Sequence, residues 1–194
     1  MLTLTQYLVR EHVGMLKIKD AYDIVDPKDG TKIGEAKEEV PGWVVALRFL
    51  LNKQMLPTSV NITDARTGTL VVRLNRGFTL FRAKVFIAGA DGTRMGYFRS
   101  KILSFGGGFN VFDMKDEKFA EVKGDWKGWN FRFLDKDGQE IGTVTKKWAG
   151  LGKELFTSAD NYMIAVKDFG AQQAAYNTLL LAAGIAIDTI YKEQ

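Results

Sequence analysis

The chain has 194 residues, of which 46% are hydrophobic and 26% are charged, as is typical of a folded globular protein. It contains no cysteine, which excludes disulfides, thiol nucleophiles and iron–sulfur clusters. The single histidine, His12, excludes a histidine-rich zinc site, and without a Gly-x-Ser-x-Gly motif we expect no catalytic role for it. Charged residues interrupt any signal-like run at the N-terminus. We therefore expect one cytoplasmic domain over residues 1–194.

Five segments share a pattern that predicts β-hairpins. Each has an aromatic or β-branched run, a turn with Asp and usually Gly, and a second short run. Glycine supplies the positive φ of such a turn, and Asp bonds nearby backbone amides. The segments are residues 22–34, 60–72, 85–97, 110–122 and 130–142, and the fourth has lost the turn glycine. They predict about ten strands, with further pairing before Tyr22 and after Gly142.

Residues 42–55 interrupt the β pattern between the first two hairpins. Four apolar residues follow the spacing of an amphipathic helix, and prolines at 41 and 57 fit its boundaries. The pattern predicts a helix near residues 42–55 with this apolar stripe: Trp43, Leu47, Leu50 and Leu51.

A second helix is predicted over residues 171–192, with Asp168 as its N-cap. Its centre, from Leu179 to Ile187, is apolar on every side. Such a helix is either enclosed by protein or inserted in a membrane, and this run is far shorter than the roughly 18 residues of a membrane span. We therefore predict that the strands form a closed wall around it.

Basic residues are concentrated in the middle of the chain. Between Arg66 and Lys101 there are eight basic residues and one acid, Asp91. This face is either a solvated outer sheet surface or a docking surface for an anionic partner. Since no aromatic RNA-binding motif is present, we expect lipid headgroups rather than nucleic acid. The candidate headgroup-binding residues are Arg73, Arg76, Arg82, Lys84, Arg99 and Lys101.

Three stretches, together with the hairpin repeat, carry a family resemblance. They read GDWKGWNFRFLD from residue 124, IGTVTKKW from residue 141, and ADNYMI from residue 159, before the apolar last helix. The chain resembles the phospholipid scramblase and LURP-one-related proteins from about Tyr7 to Tyr191. The resemblance implies a mainly β, tubby C-terminal-like fold, in which a closed antiparallel barrel of about twelve strands encloses a hydrophobic C-terminal helix. It also implies a non-enzymatic protein associated with membranes or phosphoinositides.

The resemblance also implies a candidate calcium site at Asp160, Asn161 and Asp168. Compared with the acidic stretch of scramblases, Ser158 replaces the first carboxylate and the last Asp is displaced by one residue. Calcium takes six to eight oxygen ligands, so we expect no tight binding and no other cofactor. A turn at Asp160 and Asn161 is the alternative interpretation.

Two interpretations also remain for Trp126, Trp129 and Trp148, which lie among lysines: a membrane interface or cross-strand packing. The sequence favours a peripheral module that binds anionic phospholipid or phosphoinositide membranes, because one short apolar helix offers no path for scrambling. The alternatives are a barrel that binds a protein partner and a carboxylate-dependent enzyme.

Overall fold

A computed structural model describes residues 1–12, 19–52, 55–79, 84–101, 108–125, 129–146 and 161–191, and it describes the side chains of all of these except residues 125 and 189–191. The described residues form strands β1 (Gln6–Glu11), β2 (Ala21–Val25), β3 (Lys32–Glu39), β4 (Thr58–Asp64), β5 (Leu70–Arg76), β6 (Lys84–Gly89), β7 (Arg94–Ser100), β8 (Gly108–Phe112), β9 (Lys118–Asp125), β10 (Asn130–Asp135), β11 (Glu140–Thr145) and β12 (Tyr162–Val166). They also form helices α1 (Gly42–Leu47) and α2 (Gln173–Tyr191).

The strands form one closed antiparallel barrel. Each strand pairs with its neighbours along the chain, and β1 pairs with β12 to close the sheet, which leaves no strand edge unpaired. All five predicted hairpins are confirmed. The turn glycines Gly30, Gly68, Gly92 and Gly138 have φ between 69° and 81°, and Asp116 takes φ 63° in the hairpin without glycine.

Helix α2 lies inside the barrel, as the apolar run predicted. Leu180 and Ile185 are fully buried in the core cluster. Glycines allow the close packing: a Cβ on Gly184 would lie 2.5 Å from Ile164, and one on Gly142 would lie 2.0 Å from Leu180. In the described part of the chain, no helix is long and apolar enough to cross a bilayer. The fold is the mainly β barrel with an enclosed C-terminal helix that the sequence predicts.

The start of α2 differs from the prediction. Asp168 is not its N-cap, because a short 3₁₀ turn (Gly170–Gln172) comes before the helix. The Asp168 carboxylate instead accepts a hydrogen bond from the Gly170 amide at 2.9 Å. The Gln173 side chain accepts one from the Phe169 amide at 2.7 Å. The Asp168 carboxylate therefore stabilises the 3₁₀ turn instead of capping α2. The Gln173 side chain binds the backbone just before this turn.

Helix α1 is shorter than predicted and oriented differently. It ends at Leu47, and hydrogen-bonded turns continue to Leu51. Val44 is buried, whereas Trp43 and Leu50 of the predicted stripe are exposed. The physical reason is Arg48, whose guanidinium pairs with a buried carboxylate on β3 and fixes which side of the segment faces the barrel. Three stripe residues, Trp43, Leu50 and Leu51, are consequently exposed, and Leu47 packs inward beside Val44.

The two ends of the barrel carry opposite charge. The end with the five hairpin turns and the start of α2, here the turn end, comprises residues 26–31, 64–69, 90–93, 113–117, 135–139 and 167–172, with ten acidic and five basic side chains. The opposite loop end has described connections at residues 12, 19–20, 40–52, 55–57, 77–79, 101, 129, 146 and 161. These described residues include four basic side chains and one acidic side chain.

Candidate headgroup-binding face

The outer surface of β5 to β8 carries the predicted basic residues that reach solvent. Successive strand residues point to opposite faces, so a buried residue beside each basic residue sets its direction. Val85 and Phe98 are buried in the barrel, and their neighbours Lys84 and Arg99 therefore lie on the outside, paired across β6 and β7. The structure thus brings together Lys84 and Arg99, two of the candidate headgroup-binding residues.

Three aromatic rings lie across the same outer surface, one on each of β6, β7 and β8. The Phe86 and Tyr97 ring centres are 5.8 Å apart, and Tyr97 stacks on Phe112 at 5.1 Å. The Tyr97 hydroxyl donates a hydrogen bond to Asp116, which fixes the middle ring. Such a row is a rigid platform, because aromatic rings have few rotatable bonds.

Basic side chains lie over these rings. The Lys84 ammonium is 3.7 Å from the centre of the Tyr97 ring, and the Arg99 guanidinium carbon is 4.1 Å from that of Phe112. Arg94, which was not among the residues predicted from the sequence, places its guanidinium carbon 4.7 Å from the centre of the Phe86 ring. We call these six residues the cation–aromatic face: Lys84, Phe86, Arg94, Tyr97, Arg99 and Phe112.

The cations of this face keep their charge available. Within the described residues, Lys84, Arg94 and Arg99 form no ion pair with a carboxylate. A cation–π contact is worth about 0.5–1 kcal/mol at an exposed site and holds the side chain without neutralising it. Arg73 lies nearby on β5, exposed, and donates to the Asn61 side chain at 2.7 Å. The arrangement can therefore offer several positive groups to an anion.

Lys101 belongs to a different group. It pairs with Glu121 on β9 at 2.5 Å, and Lys118 and Lys123 approach the same carboxylate at 2.6 and 3.6 Å. Burial raises the pKa of Glu121, but the hydrogen bonds from Lys101 and Lys118 outweigh it and lower the pKa to about 2. The stability from these pairs is complete above the ordinary value of 4.5 and is lost as the pH falls toward 2. Near neutral pH the single negative charge of Glu121 faces three lysine ammonium groups, so this cluster carries a net positive charge.

Arg76, one of the predicted headgroup residues, lies inside the barrel. Arg76 is only 3% exposed, and its guanidinium donates to the Leu56 carbonyl at 3.2 Å. Its assignment to a headgroup-binding surface is wrong, because it points into the barrel and not toward solvent. Arg82 lies outside the described residues.

The candidate calcium residues do not come together. Asn161 comes just before β12 and Asp168 just after it, so they lie at opposite ends of the barrel. At about 3.3 Å per strand residue the separation is roughly 20 Å, too far for one ion. Asp160 lies outside the described residues. Among the described side chains, no group of three His, Asp or Glu residues could hold a metal ion.

Trp129 and His12 have packing and pairing partners. The Trp129 ring lies 5.4 Å from that of Tyr162, and the Lys146 ammonium lies 4.3 Å from the Trp129 ring centre. This contact is the cross-strand packing expected as one of two interpretations. His12 lies 3.0 Å from the Asp23 carboxylate on β2. Trp126 and Trp148 lie outside the described residues.

A buried carboxylate lies inside the barrel near the loop end. Asp188 of α2 is 1% exposed and accepts a hydrogen bond from the Tyr22 hydroxyl at 2.6 Å. Burial raises the pKa of Tyr22, and the negative charge of Asp188 raises it further, so this phenol stays protonated. Burial and Asp188 raise the pKa of Tyr162 in the same way. The hydrogen bond between Tyr22 and Asp188 therefore joins α2 to strand β2 of the barrel wall, which gives this carboxylate a structural role.

Two known proteins match part of the chain. It is 28% identical over 137 residues to a phospholipid scramblase family protein of Schizosaccharomyces pombe, covering 65% of this chain and 36% of that protein. It is 21% identical over 127 residues to altered inheritance rate of mitochondria protein 25 of Saccharomyces cerevisiae, covering 66% of this chain and 33% of that protein. The matches thus span about a third of each relative.

No solved structure matches the chain significantly. The family comparison is more extensive than the pairwise ones, because the Scramblase family model matches residues 17–194. That range includes β2 to β12, both helices and the whole cation–aromatic face. The chain therefore belongs to the Scramblase family.

Proposed function

We propose that this barrel is a non-enzymatic module that binds anionic phospholipid or phosphoinositide headgroups through its cation–aromatic face and Arg73. One observation carries the proposal. Lys84, Arg94 and Arg99 are held on aromatic rings, with no carboxylate partner in the described structure. Phosphate and carboxylate groups of lipids are the partners that such preorganised cations favour.

The strength of such binding follows from the charge. A basic residue near an anionic membrane surface contributes about 1 kcal/mol, so four such residues give reversible and salt-sensitive attachment. Two features of the relatives support a lipid partner over other anions: the name of the family and the description of the Schizosaccharomyces pombe protein as a phospholipid scramblase family protein.

The test is cosedimentation with vesicles of phosphatidylcholine alone and with phosphatidylserine or a phosphoinositide added, at low and high salt. We expect binding only to the anionic vesicles and its loss at high salt. The double substitution Lys84→Glu and Arg99→Glu should weaken low-salt binding by about 30-fold or more, since removing two positive charges costs about 2 kcal/mol.

The matched control is Lys28→Glu with Lys136→Glu, which changes the net charge equally at two turn-end positions. This control should bind nearly as well as the unchanged chain. Equal loss in both double variants would show that only net charge matters and would contradict a specific face. Absence of binding to every vesicle would reject the lipid function itself.

A further inference from the structure

Five large apolar side chains are exposed together at the loop end. The segment from α1 to the following turn exposes Trp43 by 59%, Phe49 by 82% and Leu50 by 81%. Leu51 and Phe78 are exposed as well. The segments that carry them are joined by a hydrogen bond from the Thr79 amide to the Met55 carbonyl at 3.0 Å. We call Trp43, Phe49, Leu50, Leu51 and Phe78 the apolar tip.

The fold orients the apolar tip away from the core. Arg48 lies between its residues but turns inward, where it pairs with Glu38 at 2.5 Å. Val44 turns inward too and packs with Val40 and Leu56 in a small separate cluster. Residues 40–52 contain no acidic side chain. The segment therefore presents aromatic and aliphatic groups to the outside while its one charge is used internally.

The charges around the apolar tip indicate which kind of surface it would contact. Phe78 follows β5, and Lys84 and Arg99 lie at the loop-end limits of β6 and β7, so apolar and basic residues are neighbours on this rim. The opposite end carries ten acidic side chains. Backbone hydrogen bonds lower the pKa of Asp29, and hydrogen bonds from Thr93 lower that of Asp91, which keeps both ionised at neutral pH. An anionic bilayer attracts the first end and repels the second.

We propose that the apolar tip inserts into the headgroup–acyl boundary of an anionic bilayer, with the loop end down and the turn end facing away. This inference deepens the proposed function and rests on it. Tryptophan, phenylalanine and leucine are the residues that interfacial segments bury at this depth, next to basic residues that contact headgroups. Insertion supplies the second attachment signal that reversible electrostatic binding otherwise lacks.

The absence of cysteine allows a direct test on the full chain. A single Leu50→Cys substitution is labelled with an environment-sensitive nitrobenzoxadiazole (NBD) group, and Met114→Cys on the half-exposed β8–β9 turn is the matched control. On phosphatidylserine vesicles the label at 50 should shift to the blue and be quenched by brominated lipid chains. The label at 114 should do neither.

A second variant measures the contribution to affinity. Phe49→Ser with Leu50→Ser should weaken vesicle binding about tenfold or more, including at intermediate salt, because two apolar side chains no longer leave water. Met95→Ser with Met114→Ser removes comparable exposed apolar surface near the turn end and should change binding less than about twofold. Circular dichroism confirms that each variant is folded.

The outcomes separate the two proposals. Sedimentation with anionic vesicles but an unchanged label at 50 would overturn insertion and leave headgroup binding intact. No sedimentation at all would overturn both. If Phe49→Ser with Leu50→Ser abolishes a dimer in solution while vesicle binding is unchanged, the tip is a protein–protein contact and the inference is wrong.

Discussion

Replacing Leu180 with alanine is expected to lower the free energy of unfolding by about 3–5 kcal/mol, the upper part of the range for buried leucines. Leu180 is fully buried on α2 and packs directly against Gly142 of β11. Because glycine has no side chain, nothing on that side can move in to fill the space that the leucine leaves. Urea denaturation followed by circular dichroism measures the loss.

The matched control is Leu50→Ala, the same substitution at a side chain that is mostly exposed. It should change stability by less than about 0.5 kcal/mol. Equal losses at the two positions, or a loss below about 1 kcal/mol for Leu180→Ala, would contradict the enclosure of α2 by the barrel.

The second large effect is expected at Arg48. Its guanidinium makes two hydrogen bonds to Glu38, whose side chain is completely buried, and Thr58 donates to the same carboxylate. Arg48→Met keeps much of the stem but leaves a buried carboxylate without its cation, which should cost about 3–5 kcal/mol of stability. Thermal and urea unfolding at neutral pH measure this cost.

A double-mutant cycle identifies the cause. Arg48→Met combined with Glu38→Gln removes the buried charge together with its partner, so it should be less destabilised than Arg48→Met alone. Lys37→Met is the control, since it breaks an exposed pair with Glu35 on the same strand and should cost less than about 1 kcal/mol. If the double variant loses as much as the two single variants added together, the two residues are not coupled.

Much of the barrel follows from local signals. Turn glycines such as Gly30 and Gly138 sit between alternating runs, and each such segment forms the hairpin that its pattern predicts. An apolar helix without a polar face has to be enclosed, and antiparallel hairpins in series can close around it. The hairpins and the central helix were therefore predictable from residues that are close in the chain.

The face of the sheet to which each strand residue points was also predictable from the sequence. The count of basic residues that selected the candidate site did not take this alternation into account. Arg73 and Arg76 lie three positions apart in β5, so they must point to opposite faces. Since Arg73 is exposed, the alternation alone would have placed Arg76 inside. Arg94 and the aromatic rings were missed for a different reason, because they become neighbours only when β6, β7 and β8 are aligned in register.

Two outcomes depend on the three-dimensional fold: the orientation of α1 and the separation of the candidate calcium residues. The helical spacing of Trp43 and Leu50 is real, yet the pairing of Arg48 with Glu38, ten residues away, turns these two side chains outward. Asn161 and Asp168 look close in sequence, but the strand between them is extended and carries them to opposite ends. Neither result is visible in a local pattern.

The most direct test of the account is radical footprinting of the full chain with and without phosphatidylserine vesicles. The central claim is that the loop end meets the bilayer through the apolar tip and through Lys84 and Arg99, which lie near the loop-end limits of β6 and β7. Oxidation should therefore fall at Trp43, Phe49 and Phe78 and stay unchanged at Met95 and Met114, all of which are exposed in the free protein. Protection of Met95 and Met114 instead, or no protection at either end in bound protein, would contradict the claim.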